Sequence, residues 1–360
     1  MTDPYPLLFE PIVVPKVWGG QRLAGLGKQL PAGNAAGESW EVVDLSESPT
    51  LAESGGAACK PARSLVGNGP LMGSSIADAL TAFGRESVYG ERSRRDASDA
   101  RFPLLLKYLD AHQHLSVQVH PSPAYATRQA AEGNAGVRVK HESWVVLEAE
   151  PGSVLYLGFR EGVSREEFEA AVRGETGAGA VSDLLTAVPA EVGACYTLPS
   201  GLVHALGAGV LVAEVQTASD TTFRLYDWAA EYPDRAVAGR TLDVEAGFAS
   251  MLPDQSPPTR AGLNDAGPAE GVLAQTDAYM IERRVSDRRR VPLGGEAEDG
   301  GAVVVMAVRG DGAIAGTGED SGFAEVPFTC GDTVLVPAAV CPRAEVRGGA
   351  GAEVLLVRVL

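Results

Sequence analysis

GACYTLPSGLVHAL, residues 193–206, reads as one strand, a tight turn and the start of a second strand. Gly193 opens it, Pro199 stops the first strand, Gly201 marks the turn, and His204 stands at the start of the next extended piece. The spacing recurs once. GDTVLVPAAVCPRA, residues 331–344, again runs from a glycine to a proline six residues on, Pro337. Upstream of each lies a hairpin of similar shape, VVLEAEPGSVLYLG and VVMAVRGDGAIAG. A self-similar β unit present twice predicts duplicated β-sandwich or small-barrel domains. The copies differ in one chemical respect: where the first has His204, eleven residues after its glycine, the second has Pro342.

Composition agrees with a mainly β chain. Of 360 residues, 43 are Gly and 23 are Pro, and helix-periodic stretches are few. The formal charge of −17 argues against sequence-independent binding to nucleic acid or to anionic lipid. An anionic small substrate is compatible with it, given a local basic pocket. The opening MTDPYPLLFEP lacks the basic and apolar regions of a secretory signal. No apolar run reaches the about 18 residues of a membrane span. Cys59, Cys195, Cys330 and Cys341 lie far apart and form no CxxC pair. They read as reduced thiols of a cytoplasmic protein.

A second stretch gains meaning beside the first. In LSVQVHPSP, residues 115–123, Leu115, Val117 and Val119 share one strand face. Ser116, Gln118 and His120 share the other, and Pro121 ends the ladder. A polar face of this kind points either at water or into a cavity that holds an ion. Further along, HESWVVLEAEPGSVLYLG reads as a hairpin turning at Pro151-Gly152. SSIADALTAFG, with Ser75 near its start, and SREEFEAAV, where Ser164 and Glu167 form a capping box, read as helices. A short helix is expected near VSDLLTAV. The division that follows is 1–250, a metal-binding domain with partly helical insertions near 60–100 and 160–190; 251–272, a Pro- and Gly-rich linker; and 273–360, a β domain without metal.

The G-x5-P-x-G-x2-H string from Gly193 to His204 resembles the second cupin motif, with Ala208 where that motif ends in asparagine. The expected fold is therefore a pair of cupin jelly rolls. FPLLLKYLDAHQHLSVQVHP, KHESW, LPSGLVHAL and VQTASDTTFRLYDW follow one another in the order and spacing of the type I mannose-6-phosphate isomerases, closest to the shorter bacterial members. The resemblance covers roughly residues 5–250, with KVWGG near its start. It implies four metal ligands: Gln118, His120, Glu142 and His204. Two imidazoles, a carboxylate and an amide suit one Zn²⁺ per chain, with other divalent metals as competitors. His141 is an alternative ligand to Glu142, and His112 and His114 share strand parity with Gln118 and His120. Where the family often has Lys-Pro-Glu, this chain has Lys140-His141-Glu142.

The resemblance further implies Lys107, Lys140, Asp220 and Arg224 as catalytic residues. If residues 219–227 are extended, Asp220 and Arg224 face one way. The implied reaction interconverts mannose 6-phosphate and fructose 6-phosphate by moving a proton between C1 and C2 through an enediol. Lys140 is the leading base, followed by Asp220 and His141, while Arg224 suits an oxyanion. Trp18 and Trp228 are assigned to packing. Two rivals stay open: a sugar-phosphate sensor without turnover, and an iron-dependent cupin oxygenase. Gln118 in place of a first-motif histidine counts against the oxygenase. The expected partner is a small sugar phosphate, with the protein acting as a monomer or homodimer.

Overall fold

The computed structural model describes residues 2–31, 35–46, 48, 62–90, 101–134, 136–175, 177, 180–228, 241–286, 288–294, 301–318 and 321–360. Its β layers stack four deep. A five-stranded sheet has the order 185–189, 154–159, 204–206, 117–119, 223–226. Against it lies a six-stranded sheet in the order 195–198, 142–149, 210–217, 104–111, 38–42, 12–14. A seven-stranded sheet and a four-stranded sheet repeat the arrangement with the carboxy-terminal strands. Corresponding strands occupy corresponding places: 195–198, 142–149, 210–217, 104–111 in the first copy answer to 333–336, 303–309, 353–359, 279–285 in the second.

Strand Leu104–Ala111, LLLKYLDA, shows why the sequence folds this way. All its residues are buried, so both faces are covered. Leu104, Leu106 and Tyr108 enter an interior shared with Tyr279, Ile281, Val304 and Leu355 of the second copy. Leu109 and Ala111 face the first barrel, whose filling includes Trp144, Leu157 and Leu206. Lys107 has the parity of this barrel face. The second barrel is filled by Val303, Val336, Ile314, Val346 and Leu356.

The stretch around Pro151-Gly152 forms no hairpin. Strands Glu142–Ala149 and Val154–Phe159 belong to different sheets, so the turn is a corner by which the chain crosses the barrel. Gly152 there has a φ of 85°, open to glycine at no steric cost. The second expected hairpin is likewise a corner: Val303–Arg309 and Gly312–Gly316 belong to different sheets and do not pair with each other. The helix expected near residue 181 is a single 3-10 turn, Val181–Leu184. The chain then extends as Leu185–Pro189 and pairs with Val154–Phe159, where the β-branched Thr186 and Val188 suit a strand. Helices Ile76–Phe83 and Arg165–Val172 form where expected, each with a capping box, on Ser75/Asp78 and Ser164/Glu167. The remainder of the insertion near 60–100 lies partly outside the described residues, as does Cys59.

Strand pairing crosses the expected domain division. Leu7–Glu10 joins the second copy's sheet, with Leu7 opposite Leu335, and brings Leu65–Val66 to its edge. Residues 251–272 carry structure of their own: Leu263–Asn264 pairs with Gly267–Pro268, and Gln255 is buried against Gly201 and Val203. No helix among the described residues is long and apolar enough to cross a membrane.

The two opening glycines of the repeat have the same φ, 93°, and each carbonyl takes a cation from the other half of the molecule. Arg283 donates to Gly193 O at 3.0 Å. Lys28 donates to Gly331 O at 2.7 Å while pairing with Glu41 at 2.8 Å. Both members of the Lys28–Glu41 pair are buried, and burial raises the Glu41 carboxyl above its ordinary range even with Lys28 beside it. Lys28→Met would leave the Gly331 carbonyl without this donor and the buried carboxylate without its cation, held only by the hydroxyls of Ser39 and Thr333. It is expected to lower the unfolding free energy by about 3–5 kcal/mol, the cost of breaking a buried pair. The check is the midpoint of a urea titration; a change within the about 1 kcal/mol of a surface pair would refute this latch.

Candidate active site

Three of the four expected ligands come from the five-stranded sheet. Gln118 lies on Val117–Val119, and His120 follows where Pro121 ends that strand. His204 opens His204–Leu206 directly opposite Gln118. Arg224 lies opposite Gln118 on the other side. Directly opposed residues share a sheet face, so Arg224, Gln118 and His204 form one row. Glu142, the first residue of Glu142–Ala149, meets them from the six-stranded sheet.

Ligand atoms of His120, Glu142 and His204 lie within 4.8 Å of one another, and all three residues are buried. Glu142 Oε1 is 3.1 Å from His204 Nε2, and Oε2 is 3.2 Å from His120 Nε2. The far side of each ring fixes its tautomer. His120 Nδ1 is 3.1 Å from the Thr221 carbonyl, and His204 Nδ1 is 2.9 Å from the Leu202 carbonyl. A carbonyl only accepts, so both Nδ1 atoms carry the proton and both Nε2 lone pairs point inward. His204 Nε2 therefore faces a carboxylate oxygen that itself receives no hydrogen bond. Two lone pairs held at that distance call for a cation between them, and the donor set fits a divalent metal. Gln118 Nε2 is 3.2 Å from His204 Nε2; a half-turn of the amide offers its carbonyl oxygen there instead.

The charges agree. Burial, with Lys140 adding to it, pushes the His120 imidazole down to about 3, so the ring is neutral. Burial opposes the Glu142 charge, but the Lys140 ammonium beside it holds its carboxyl well below the usual range. Lys140 Nζ lies inside the cluster, 2.7 Å from Glu142 Oε2 and 3.1 Å from His120 Nε2.

Lys107 sits one layer deeper. It is 3.4 Å from Glu38 and 3.5 Å from Glu214, with Nζ 4.8 Å from the centre of the Trp40 ring. Burial disfavours its charge, but Glu38 and Glu214 raise its pKa above the lysine range. Asp220 precedes the strand that carries Arg224, which begins only at Phe223, and accepts a 2.7 Å bond from Ser48. His141 turns away: its Nδ1 accepts from the backbone N–H of Ser200 at 3.1 Å. His112 is exposed, and His114 accepts from Ala208 N–H and lies against Trp228. Glu142 is thus the residue that meets the two imidazoles. Trp18 and Trp228 are both buried in apolar clusters.

Three groups went unread in the sequence: Glu38, Glu214 and Trp144. Trp144 Nε1 donates to Glu214 at 3.0 Å, and its ring meets that of His204 edge-on, 5.4 Å between centroids. Burial and the neighbouring Glu142 push the Glu214 carboxyl up. The signal for Glu214 was present, since it interrupts the otherwise apolar run VLVAEV with a charge.

Comparison with known proteins follows the same lines. Residues 13–142 match the family model of the phosphomannose isomerase type I catalytic domain. The chain is 36% identical over 241 residues to mannose-6-phosphate isomerase of Streptococcus mutans, covering 67% of this chain and 66% of that one. It is 30% identical over 292 residues to probable mannose-6-phosphate isomerase GmuF of Bacillus subtilis, covering 80% of this chain and 82% of that relative. The chain belongs to the mannose-6-phosphate isomerase family. Its fold matches the crystal structure of the mannose 6-phosphate isomerase from Bacillus subtilis with a TM-score of 0.73 and 22% identity, over 98% of this chain and 99% of that one.

Within the family fold, the second barrel holds no comparable cluster among the described residues. Glu142 pairs with Leu198, next to the motif proline; the matching pair in the second copy is Val303 with Val336. Protein stripped with chelator and reloaded is expected to hold about one divalent ion per chain by elemental analysis. Glu142→Gln together with His204→Ala should abolish that ion. An ion bound within residues 273–360 would refute the assignment.

Proposed function

We propose that this protein interconverts mannose 6-phosphate and fructose 6-phosphate, acting in the cytoplasm as a monomer or homodimer. The observation that carries the reading is the meeting of Lys140 with Glu142, His120 and His204 beside the Gln118–Arg224 row. Gln118, His120, Glu142 and His204 would hold the metal, with Zn²⁺ as the expected ion. Bound there, it supplies a Lewis acid that polarises the sugar oxygens.

The remaining steps belong to the chain. In the open-chain aldose, Lys140 as amine takes the proton from C2, leaving an enediolate charge on O1; the O2 proton passes to O1 through the enediol. The Lys140 ammonium then returns its proton to C1, leaving O2 as the ketose carbonyl. Lys140 is favoured over His141 because the His141 ring faces Ser200, and over Asp220 because that carboxylate accepts from Ser48. Arg224 offers a planar fork to the enediolate or the phosphate. Lys107 is held by Glu38 and Glu214, which suits a fixed positive charge better than a group that gives up protons.

A coupled assay of mannose 6-phosphate turnover tests the reading, with activity expected to vanish under a strong chelator and return with Zn²⁺. Binding without turnover would leave a sensor. For the proton-transfer role, Lys140→Met is expected to lower kcat by about two orders of magnitude or more with little change in KM. An unchanged kcat with a raised KM would make Lys140 a binding residue and pass the base role to Asp220.

A further inference from the structure

The metal-ligand residues sit at strand ends, where backbone groups lose their ladder partners. Pro121, next to His120, carries a carbonyl past the end of its strand. Lys140, two residues before Glu142, carries an N–H just before the next strand begins. One side chain serves both. The Ser200 hydroxyl donates to Pro121 O at 2.6 Å and accepts from Lys140 N–H at 2.9 Å. The backbone N–H of Ser200 donates to His141 Nδ1 at 3.1 Å. Ser200 is itself buried, and it lies on the turn that leads through Gly201 to His204. A single residue therefore ties together the three segments that carry His120, Glu142 and His204.

We propose that Ser200 is a positioning residue that sets the affinity of this centre for its divalent cation. The inference rests on the metal site proposed above. A hydroxyl is needed because one group must donate and accept at the same point. Alanine there would leave a buried carbonyl and a buried N–H without partners. The two segments would then drift to find others, carrying His120 and Glu142 off their shared point. The molecule supplies its own comparison: the second copy, which lacks the ligand set, has Ala338 in the place of Ser200, directly after its motif proline.

The test is the Zn²⁺ dissociation constant of the full chain, by competition with a chromophoric chelator, for wild type, Ser200→Ala and Ser200→Cys. Supporting buried groups around metal ligands are worth about 10–100-fold in affinity. Ser200→Ala is expected to weaken binding by that factor, and Ser200→Cys, a poorer donor and acceptor of similar shape, by less. Thermal unfolding with and without Zn²⁺ separates positioning from plain stability. A positioning role shrinks the rise in Tm that Zn²⁺ produces; a merely structural role lowers both Tm values equally and overturns the proposal. Either folded variant binding Zn²⁺ as tightly as wild type also overturns it. If Ser200→Ala fails to fold, Ser200→Cys decides. Wild-type protein that binds no divalent ion would overturn the metal-site reading and this inference with it. Tight wild-type binding unaffected by the variants would remove this inference alone.

Discussion

The burial of the Glu142 carboxylate is the constraint on which the site depends. A charge taken out of water needs a compensating charge close by, and its surroundings offer the Lys140 ammonium at 2.7 Å, while the Nε2 atoms of His120 and His204 turn toward it at a distance that a metal ion would bridge. The neighbours follow from that need. Carbonyls of Thr221 and Leu202 hold the ring protons on the outer side. The neighbouring Glu214 is anchored by Trp144 and balanced by Lys107, which is balanced in turn by Glu38. Removing any one charge leaves another uncompensated in a region of low polarity, so these residues form a network rather than a set of separate contacts.

The barrel makes such a network possible because it brings two sheets face to face. Gln118 and His204 come from one sheet and Glu142 from the other, so their meeting point is fixed by how far apart the sheets stand. That spacing is set by packing: Leu155, Leu157 and Leu206 on one side fill the gap against Leu109, Trp144 and Val212 on the other. The six-stranded sheet is backed in turn by the second copy. Ser143, next to Glu142, lies 3.0 Å from the Tyr279 hydroxyl of that copy. The carboxy-terminal barrel thus reaches the layer immediately behind the ligand carboxylate.

Much of this was legible in the chain. The polar face of 115–123 and the string from Gly193 to His204 each read as strands, and the resemblance put Gln118 and His204 in one ligand set; that they lie directly opposite each other on paired strands is seen only in the structure. Local chemistry also marked the capping box of Ser164 and Glu167, which stand three apart; that Ser75 and Asp78 form a second one is seen in the structure. What a linear reading lacked was the assignment of strands to sheets. Two runs joined by Pro151-Gly152 look like a hairpin whether they pair or cross between sheets, because the alternation within each run is the same. The same limit hid the Leu7–Glu10 strand in the second sheet, a pairing with Leu335 that no local pattern encodes. Lys107 could be read as a candidate, but its partners Glu38 and Glu214 are distant in sequence and become neighbours only when strands 38–42, 104–111 and 210–217 align.

The duplication separates what the fold needs from what the chemistry needs. Both copies keep the strand order, the sheet-crossing corner, the left-handed glycine and the motif proline. Only the first keeps a histidine at the turn, a carboxylate opposite the residue before the proline, and a serine after it. In the second, Pro342, Val303 and Ala338 fill those places, and its core cluster is apolar. An apolar filling needs no compensating charges and no tautomer control, so that barrel can serve as a rigid backing. The glycine carbonyls remain in use in both copies, since each accepts a buried cation from the other half. The retained half of the motif thus holds the two barrels together, and the lost half is the part that would have carried metal.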